Sequence, residues 1–153
     1  DLKAQIKWPN DILIGGKKIA GILTEIRAEM DVIDYIIVGL GLNVNTTDFP
    51  DDIREKATSL LIETGAPFPR VRVIREYLQQ YERHYTIFGK IGFDPILDRW
   101  KALSNIIGRQ ITVESMGAEY PGQVQDIDRD GVLILKDKAG KYHRIFSGDV
   151  RLV

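Results

Sequence analysis

The stretch on which the reading of this chain turns runs Lys7-Trp8-Pro9-Asn10-Asp11-Ile12-Leu13-Ile14-Gly15-Gly16-Lys17-Lys18-Ile19-Ala20-Gly21-Ile22-Leu23-Thr24-Glu25. Two extended apolar runs, 12–14 and 17–26, flank the Gly15-Gly16 pair. Such a pair predicts a two-residue hairpin turn, because both central positions of the favoured turn need positive φ. The hairpin is expected to set Lys18 opposite the Asn10-Asp11 end, so that an ammonium, a carboxylate and a carboxamide share one small region. Pro9 cannot donate to a sheet ladder and is expected where the strand begins or bends, which frees Asn10 and Asp11 for other partners. Gly21, inside a run of Ile and Leu, marks a place where a ligand or another backbone comes close. On chemistry alone, a surface hairpin with a Trp-Pro entry turn accounts for these residues equally well.

The next run, 32–45, sorts by period two. Ile36, Val38, Leu40, Leu42 and Val44 fall on one apolar face, and Gly39, Gly41, Asn43 and Asn45 on the other. The second face reads as a floor on which a ligand lies against the backbone and is gripped by amides. The bland alternative is a pair of bulges with exposed Asn at a strand end. A dinucleotide fingerprint fits poorly, since neither a third Gly nor a following helix pattern is present.

Lys7-Trp8-Pro9-Asn10-Asp11, followed by Lys18 and by Ala20-Gly21-Ile22-Leu23-Thr24-Glu25, resembles the catalytic core of the biotin protein ligases. The resemblance continues at Gly39-Leu40-Gly41-Leu42-Asn43-Val44-Asn45 and at Ala57-Thr58-Ser59-Leu60, and runs in family order to the last residue. Three strings in order are far more specific than one. A Gly/Arg-rich loop that the family carries upstream of Lys-Trp-Pro-Asn-Asp is not among these residues. The resemblance therefore covers the later half of the catalytic domain, expected over 1–104, and the C-terminal domain, expected over 105–153. It implies an α/β (α+β) chain: part of a class II synthetase-like mixed sheet with packed helices, then a small SH3-like β-barrel.

The activity implied is two half-reactions. Biotin and ATP, with magnesium, form biotinyl-5′-adenylate and pyrophosphate, and the biotinyl group then passes to a lysine of a biotin carboxyl carrier protein. Lys18 suits the fixed cation that meets the charge gathering at the α-phosphate. Asp11 suits the carboxylate that steers or deprotonates the incoming lysine. Asn10 and Asn43 match family positions on the nucleotide and metal side, with Asn43 a candidate magnesium contact. Gly21 and Gly41 let biotin and adenine approach the backbone, and Trp8, Ile22 and Gly39 complete the binding set. Lys7 and Arg27 reach for phosphates or are simply solvated. With the Gly/Arg-rich loop missing, the chain alone is expected to be inactive. The rival readings are a lipoate ligase of the same superfold and a non-catalytic module that dimerises or docks a carrier protein. Lys18-Ile19-Ala20-Gly21 and the C-terminal barrel favour biotin.

Composition sets the remaining bounds. Among 153 residues 44% are apolar, enough for a core. Twenty-one basic side chains face 22 acidic ones and lie scattered, unlike the basic stripe of a nucleic-acid binder, so no nucleic-acid partner is expected through this chain. There is no cysteine, hence no disulfide and no thiolate metal site. No apolar run approaches the roughly 20 residues of a membrane span, and a cytoplasmic protein, in family terms with a homodimer in view, is the expectation.

Periodicity and caps complete the outline. A short helix is expected over 53–63, with Asp51 or Asp52 as N-cap and Gly65 ending it. Val71, Ile74, Leu78, Tyr81, Tyr85 and Phe88 form one helical stripe, expected to pack across the back of a sheet and to end at Gly89 and Gly92. Asp94-Pro95 starts a further helix through Phe93, Ile96, Leu97, Trp100 and Leu103. Short strands are expected over 110–115, 119–127, 132–136 and 142–147, with turns at Asp130-Gly131 and Ala139-Gly140. His84 and His143 have no neighbours in sequence at metal-ligand spacing.

Overall fold

A computed structural model describes residues 2–29 and 32–152. The chain forms two compact units, one built from Asn10–Arg75 with the first residues of the chain, the other from Gln5–Pro9 with the residues from Glu76 onward.

In the first unit, β2 (Asp11–Ile14) and β3 (Lys17–Glu29) form the expected hairpin, and β4 (Val32–Leu42) pairs antiparallel with β3. Gly15 and Gly16 have φ of 57° and 82°, the left-handed values that a two-residue turn of this kind demands. The register departs from the simple expectation. Asp11 pairs with Gly21 and Ile12 with Ala20, but Leu13 pairs with Lys18, leaving Ile19 as the extra residue of a β-bulge. Ile19 and Ala20, adjacent in sequence, are consequently both buried. They join Ile14 in a small core, against which Ile12, Leu40, Leu42 and Leu60 pack.

The sheet is not mixed in the way expected. Its ladders in this unit are antiparallel, and the parallel element is a single bridge from Lys18 to Ala57. That bridge also explains why the helix expected over 53–63 is cut short. Lys18 N donates to Lys56 O (2.7 Å) and Thr58 N donates to Lys18 O (2.9 Å), so the backbone at 56–58 pairs with a strand and cannot close helical turns. Only α1 (Leu60–Thr64) remains, with Ser59 rather than an aspartate as N-cap and Gly65, at φ 73°, closing it as expected. The Asn45 carboxamide, read as a ligand grip, instead bonds both ways with the backbone of Phe68 (2.9 Å each) and pins the connector after α1.

The helix α2 (Arg70–Ile91) is longer than its stripe suggested, running through Gly89 and stopping at Gly92 with φ 101°. Its stripe does not pack on a sheet: Val71, Ile74, Leu78, Tyr81, Tyr85 and Phe88 are all exposed. Tyr77, Tyr81, Tyr85 and Phe88 follow one another along the helix instead, with ring centroids 6.1–6.4 Å apart, Tyr81 and Tyr85 stacked and the other pairs tilted.

The second unit has a denser core. Helix α3 (Asp94–Leu103) buries Leu97 in a cluster with Ile111, Val113, Val124, Leu133 and Leu135, and Trp100 packs against that cluster. Strands β5 (Gln110–Ser115), β6 (Ala118–Ile127), β7 (Leu133–Lys136), β8 (Tyr142–Ile145) and β9 (Asp149–Leu152) form one antiparallel sheet in the order β8-β7-β6-β5-β9. β8 and β9 stand at opposite edges and do not pair, so the sheet is not a closed barrel. The strand β1 (Ala4–Lys7) reaches this unit through Asn105 N, which donates to Ile6 O at 3.0 Å.

Two turns of this sheet repeat one device. Asp128 accepts from the amides of Asp130 and Val132 through Oδ1, and Asp137 from those of Ala139 and Lys141. Adjacent residues of β8 then clasp the outer oxygens: Arg144 reaches Asp128 at 2.6 Å and His143 reaches Asp137 at 2.8 Å. His143 thus has a carboxylate neighbour, six residues away in sequence, that a search at ligand spacing missed. Its hydrogen bond, then the Lys141 and Ala139 amides, hold the Asp137 carboxyl below the ordinary carboxylate value. At Asp128 desolvation pushes upward, but the Val132 and Asp130 amides and Arg144 outweigh it and the carboxyl also lies low.

Candidate active site

The hairpin brings Asp11, Lys18 and Gly21 to one point. Lys18 Nζ lies 2.5 Å from Asp11 Oδ1, in a pair that is half open to solvent on the lysine side. The bulge makes this possible. Lys18 and Gly21 are three residues apart, and in an unbroken strand they would face opposite sides of the sheet. The extra residue at Ile19 returns them to one side, and the lysine chain crosses the glycine. A Cβ built on Gly21 would stand 3.1 Å from Lys18 Cε and Nζ and 3.4 Å from Asp11 Oδ1. A side chain at Gly21 would thus press on the lysine chain, which would have to shift by a few tenths of an ångström.

Asn10 fixes the entry to the pair. Its Nδ2 donates to Ile22 O (2.7 Å) while Ile22 N donates to Asn10 O (2.9 Å), tying the end of the turn to β3. Beside the pair lies an open hollow of about 460 Å³, lined by Asn10, Lys18 and Gly21 and floored by Gly39 and Gly41 of β4. Gly41 stands opposite Gly21 and Gly39 opposite Leu23. A Cβ at Gly39 or Gly41 would make only ordinary contacts, 3.6 and 3.8 Å, with backbone oxygens. Nothing within the chain demands glycine there, so the room above these positions is left for something outside it. Ile22 lines the same hollow, as do Leu23 and Leu40, which the sequence reading did not single out.

Three expected site residues fall elsewhere. Asn43 follows β4, and its Nδ2 donates to Thr58 O (3.0 Å), so this carboxamide holds the 56–58 segment. Trp8 is 3% exposed in the core of the second unit, with its indole nitrogen donating to Gly131 O at 3.0 Å. An indole so enclosed serves packing. Lys7 groups with the same unit as Trp8. Arg27, read as a phosphate contact or a solvated side chain, pairs with Asp34 at 3.6 Å. No cluster of three His, Cys, Asp or Glu suited to a metal occurs among the described residues.

This site sits in sequence that is shared with known proteins. Residues 1–43 match the biotin/lipoate A/B protein ligase family, and residues 106–153 match the biotin protein ligase C terminal domain. The bifunctional ligase/repressor BirA of Bacillus spizizenii is 39% identical over 99% of this chain, which spans 47% of that protein. The biotin--[acetyl-CoA-carboxylase] ligase of Paracoccus denitrificans is 32% identical over 89% of this chain and 58% of its own length. The biotin protein ligase of Aquifex aeolicus in complex with biotin and ATP shares the fold, with a TM-score of 0.82 over 98% of this chain and 62% of that one, at 24% identity. The chain belongs to the biotin protein ligase family. It spans about half the length of the curated relatives it matches.

Proposed function

We propose that this chain supplies the lysine-bearing wall of a biotin protein ligase, which activates biotin with ATP and passes the biotinyl group to a lysine of a carrier protein. The observation that carries the reading is the Asp11–Lys18 pair set over Gly21 beside the Gly39 and Gly41 floor. Adenylation brings a carboxylate against an α-phosphate, and the transition state gathers negative charge there. A cation already fixed at that spot lowers the barrier without reorganising. Asp11 holds the Lys18 ammonium at rest and is released to the incoming lysine of the carrier once the adenylate has engaged Lys18. The bare floor allows a flat ligand to lie on the backbone.

The second family match, which is specific to biotin ligases, supports biotin over lipoate. It also supports the division at 104/105 and an SH3-like C-terminal domain, since it starts at residue 106. Biotin and ATP in the Aquifex aeolicus complex support the same two ligands here. Magnesium would come with the nucleotide phosphates, which with one or two side-chain oxygens make up its usual shell. A carrier protein as partner and a cytoplasmic location follow from the same reading. No helix among the described residues is long and apolar enough to cross a membrane.

Lys18→Ala in a full-length ligase carrying these residues tests the proposal. Pyrophosphate release should fall about 10²–10³-fold while biotin affinity changes little. Release within twofold of the parent would overturn it.

A further inference from the structure

A bulge in β3 sets Gly21 beneath the lysine, and a bulge inside a ladder needs something to hold it. Thr58 is fully buried, next to a 51–56 segment that is exposed throughout. Its amide donates to Lys18 O (2.9 Å), its carbonyl accepts from Asn43 Nδ2 (3.0 Å), and its hydroxyl donates to Glu63 Oε1 (2.6 Å). Asn43 N in turn donates to the carbonyl of the bulged residue, Ile19, at 2.9 Å. Both sides of the bulge are thus tied into one short network of Thr58, Asn43 and Glu63.

We propose that Thr58 is a positioning residue for the lysine site: held by Glu63 and Asn43, it fixes the β3 bulge that brings Gly21, rather than Ala20, opposite Asp11 and beneath the Lys18 chain. The inference rests on the reading of Lys18 as the activating cation, and it deepens that reading. Thr58 acts through the backbone, touching neither ligand nor ammonium. Without its hydroxyl bond the 56–58 strand loosens and the bulge is free to slip by one residue, which sends Gly21 to the opposite face and sets the Ala20 methyl group opposite Asp11. The charge would survive, but with a side chain where its path now crosses glycine.

The test is spectroscopic and uses the 153-residue chain itself. With labelled lysine and glycine, the parent should give cross-peaks between the Lys18 ε-protons and the Gly21 α-protons. Thr58→Val, which keeps the shape and removes the hydroxyl, should lose them, and Thr58→Ser should restore them. If Thr58→Val does not fold, Glu63→Leu removes the same hydrogen bond from the other side and should show the same loss. Cross-peaks that persist in the hydroxyl-less variant, or that fail to return with serine, would overturn the proposal. Because no step of catalysis is read, a failure here is distinguishable from a failure of the pyrophosphate test on Lys18.

Discussion

The β3–β4 ladder and the β5–β6–β7 sheet are both antiparallel and both rich in Ile, Leu and Val, yet the second makes a far larger core. In the C-terminal sheet, Ile111, Val113, Val124, Leu133 and Leu135 are sealed at 0–1% exposure, and along β5 the polar Gln110, Thr112 and Glu114 alternate with them. In the first unit the buried cluster is limited to Ile14, Ile19 and Ala20. Farther along the ladder Leu23 and Ile26 on β3, and Ile36, Ile37 and Val38 on β4, stay about half exposed or more. Three consecutive apolar residues read as a strand covered on both faces, and here both faces are left about half open. A period of two says which residues share a face; whether that face finds a partner is decided elsewhere.

That contrast can be broken by substitution. The largest effect is expected at Leu133, fully buried on β7, where Leu133→Ala should cost about 2–5 kcal/mol. Ile26→Ala, at an exposed position of the first ladder, should stay within about 0.5 kcal/mol. Denaturant midpoints of the two variants measure the difference, and equal losses would mean that the two ladders are stabilised alike.

Glycine sharpens the same point. A Cβ at Gly122 would stand 2.5 Å from Lys136 O and 3.0 Å from Leu135 Cγ, so Gly122→Ala should cost about 1–3 kcal/mol through overpacking. Gly41→Ala meets nothing closer than 3.8 Å, and its folding should be unchanged to within about 0.5 kcal/mol. Its effect should appear in ligand affinity alone. Calorimetry with biotin and ATP on the full-length ligase separates the two, and a loss of stability without a loss of affinity would remove Gly41 from the floor.

A smaller effect is expected in acid. The Asp137 carboxyl lies below its ordinary value, mainly because of the His143 hydrogen bond. A depressed carboxylate contributes stability that is complete above its unfolded value, near about 3.9, and is lost as the pH falls through the lower folded value. Asp137→Asn should therefore flatten the decline in melting temperature below about pH 4. Identical acid slopes for parent and variant would show that the turn does not depend on the charge.

Much of this was legible in the sequence. The Gly15-Gly16 hairpin, the Asp11–Lys18 meeting and the short C-terminal strands follow from turn chemistry and alternation, which are local. The place of Trp8 was not legible: a Trp beside a Pro carries no mark of which way its ring turns, and the ring went into the second core. The helix expected over 53–63 failed because residues 56–58 found a strand to pair with. Its helical pattern was real only from Leu60.

The sequence by itself determined the hairpin, most of the strands and turns and the family they belong to, because caps, glycines and period-two runs act between near neighbours. Tertiary structure alone decided that Gly21 lies beneath Lys18. An unbroken β3 would set Ala20 opposite Asp11 and carry Gly21 to the other face. The bulge that brings Gly21 back is held by Thr58 and Asn43, 40 and 25 residues downstream of Lys18. No local signal in Lys18-Ile19-Ala20-Gly21 announces a bulge, since the hydrogen bonds that stabilise it come from a segment the chain must first fold back to reach.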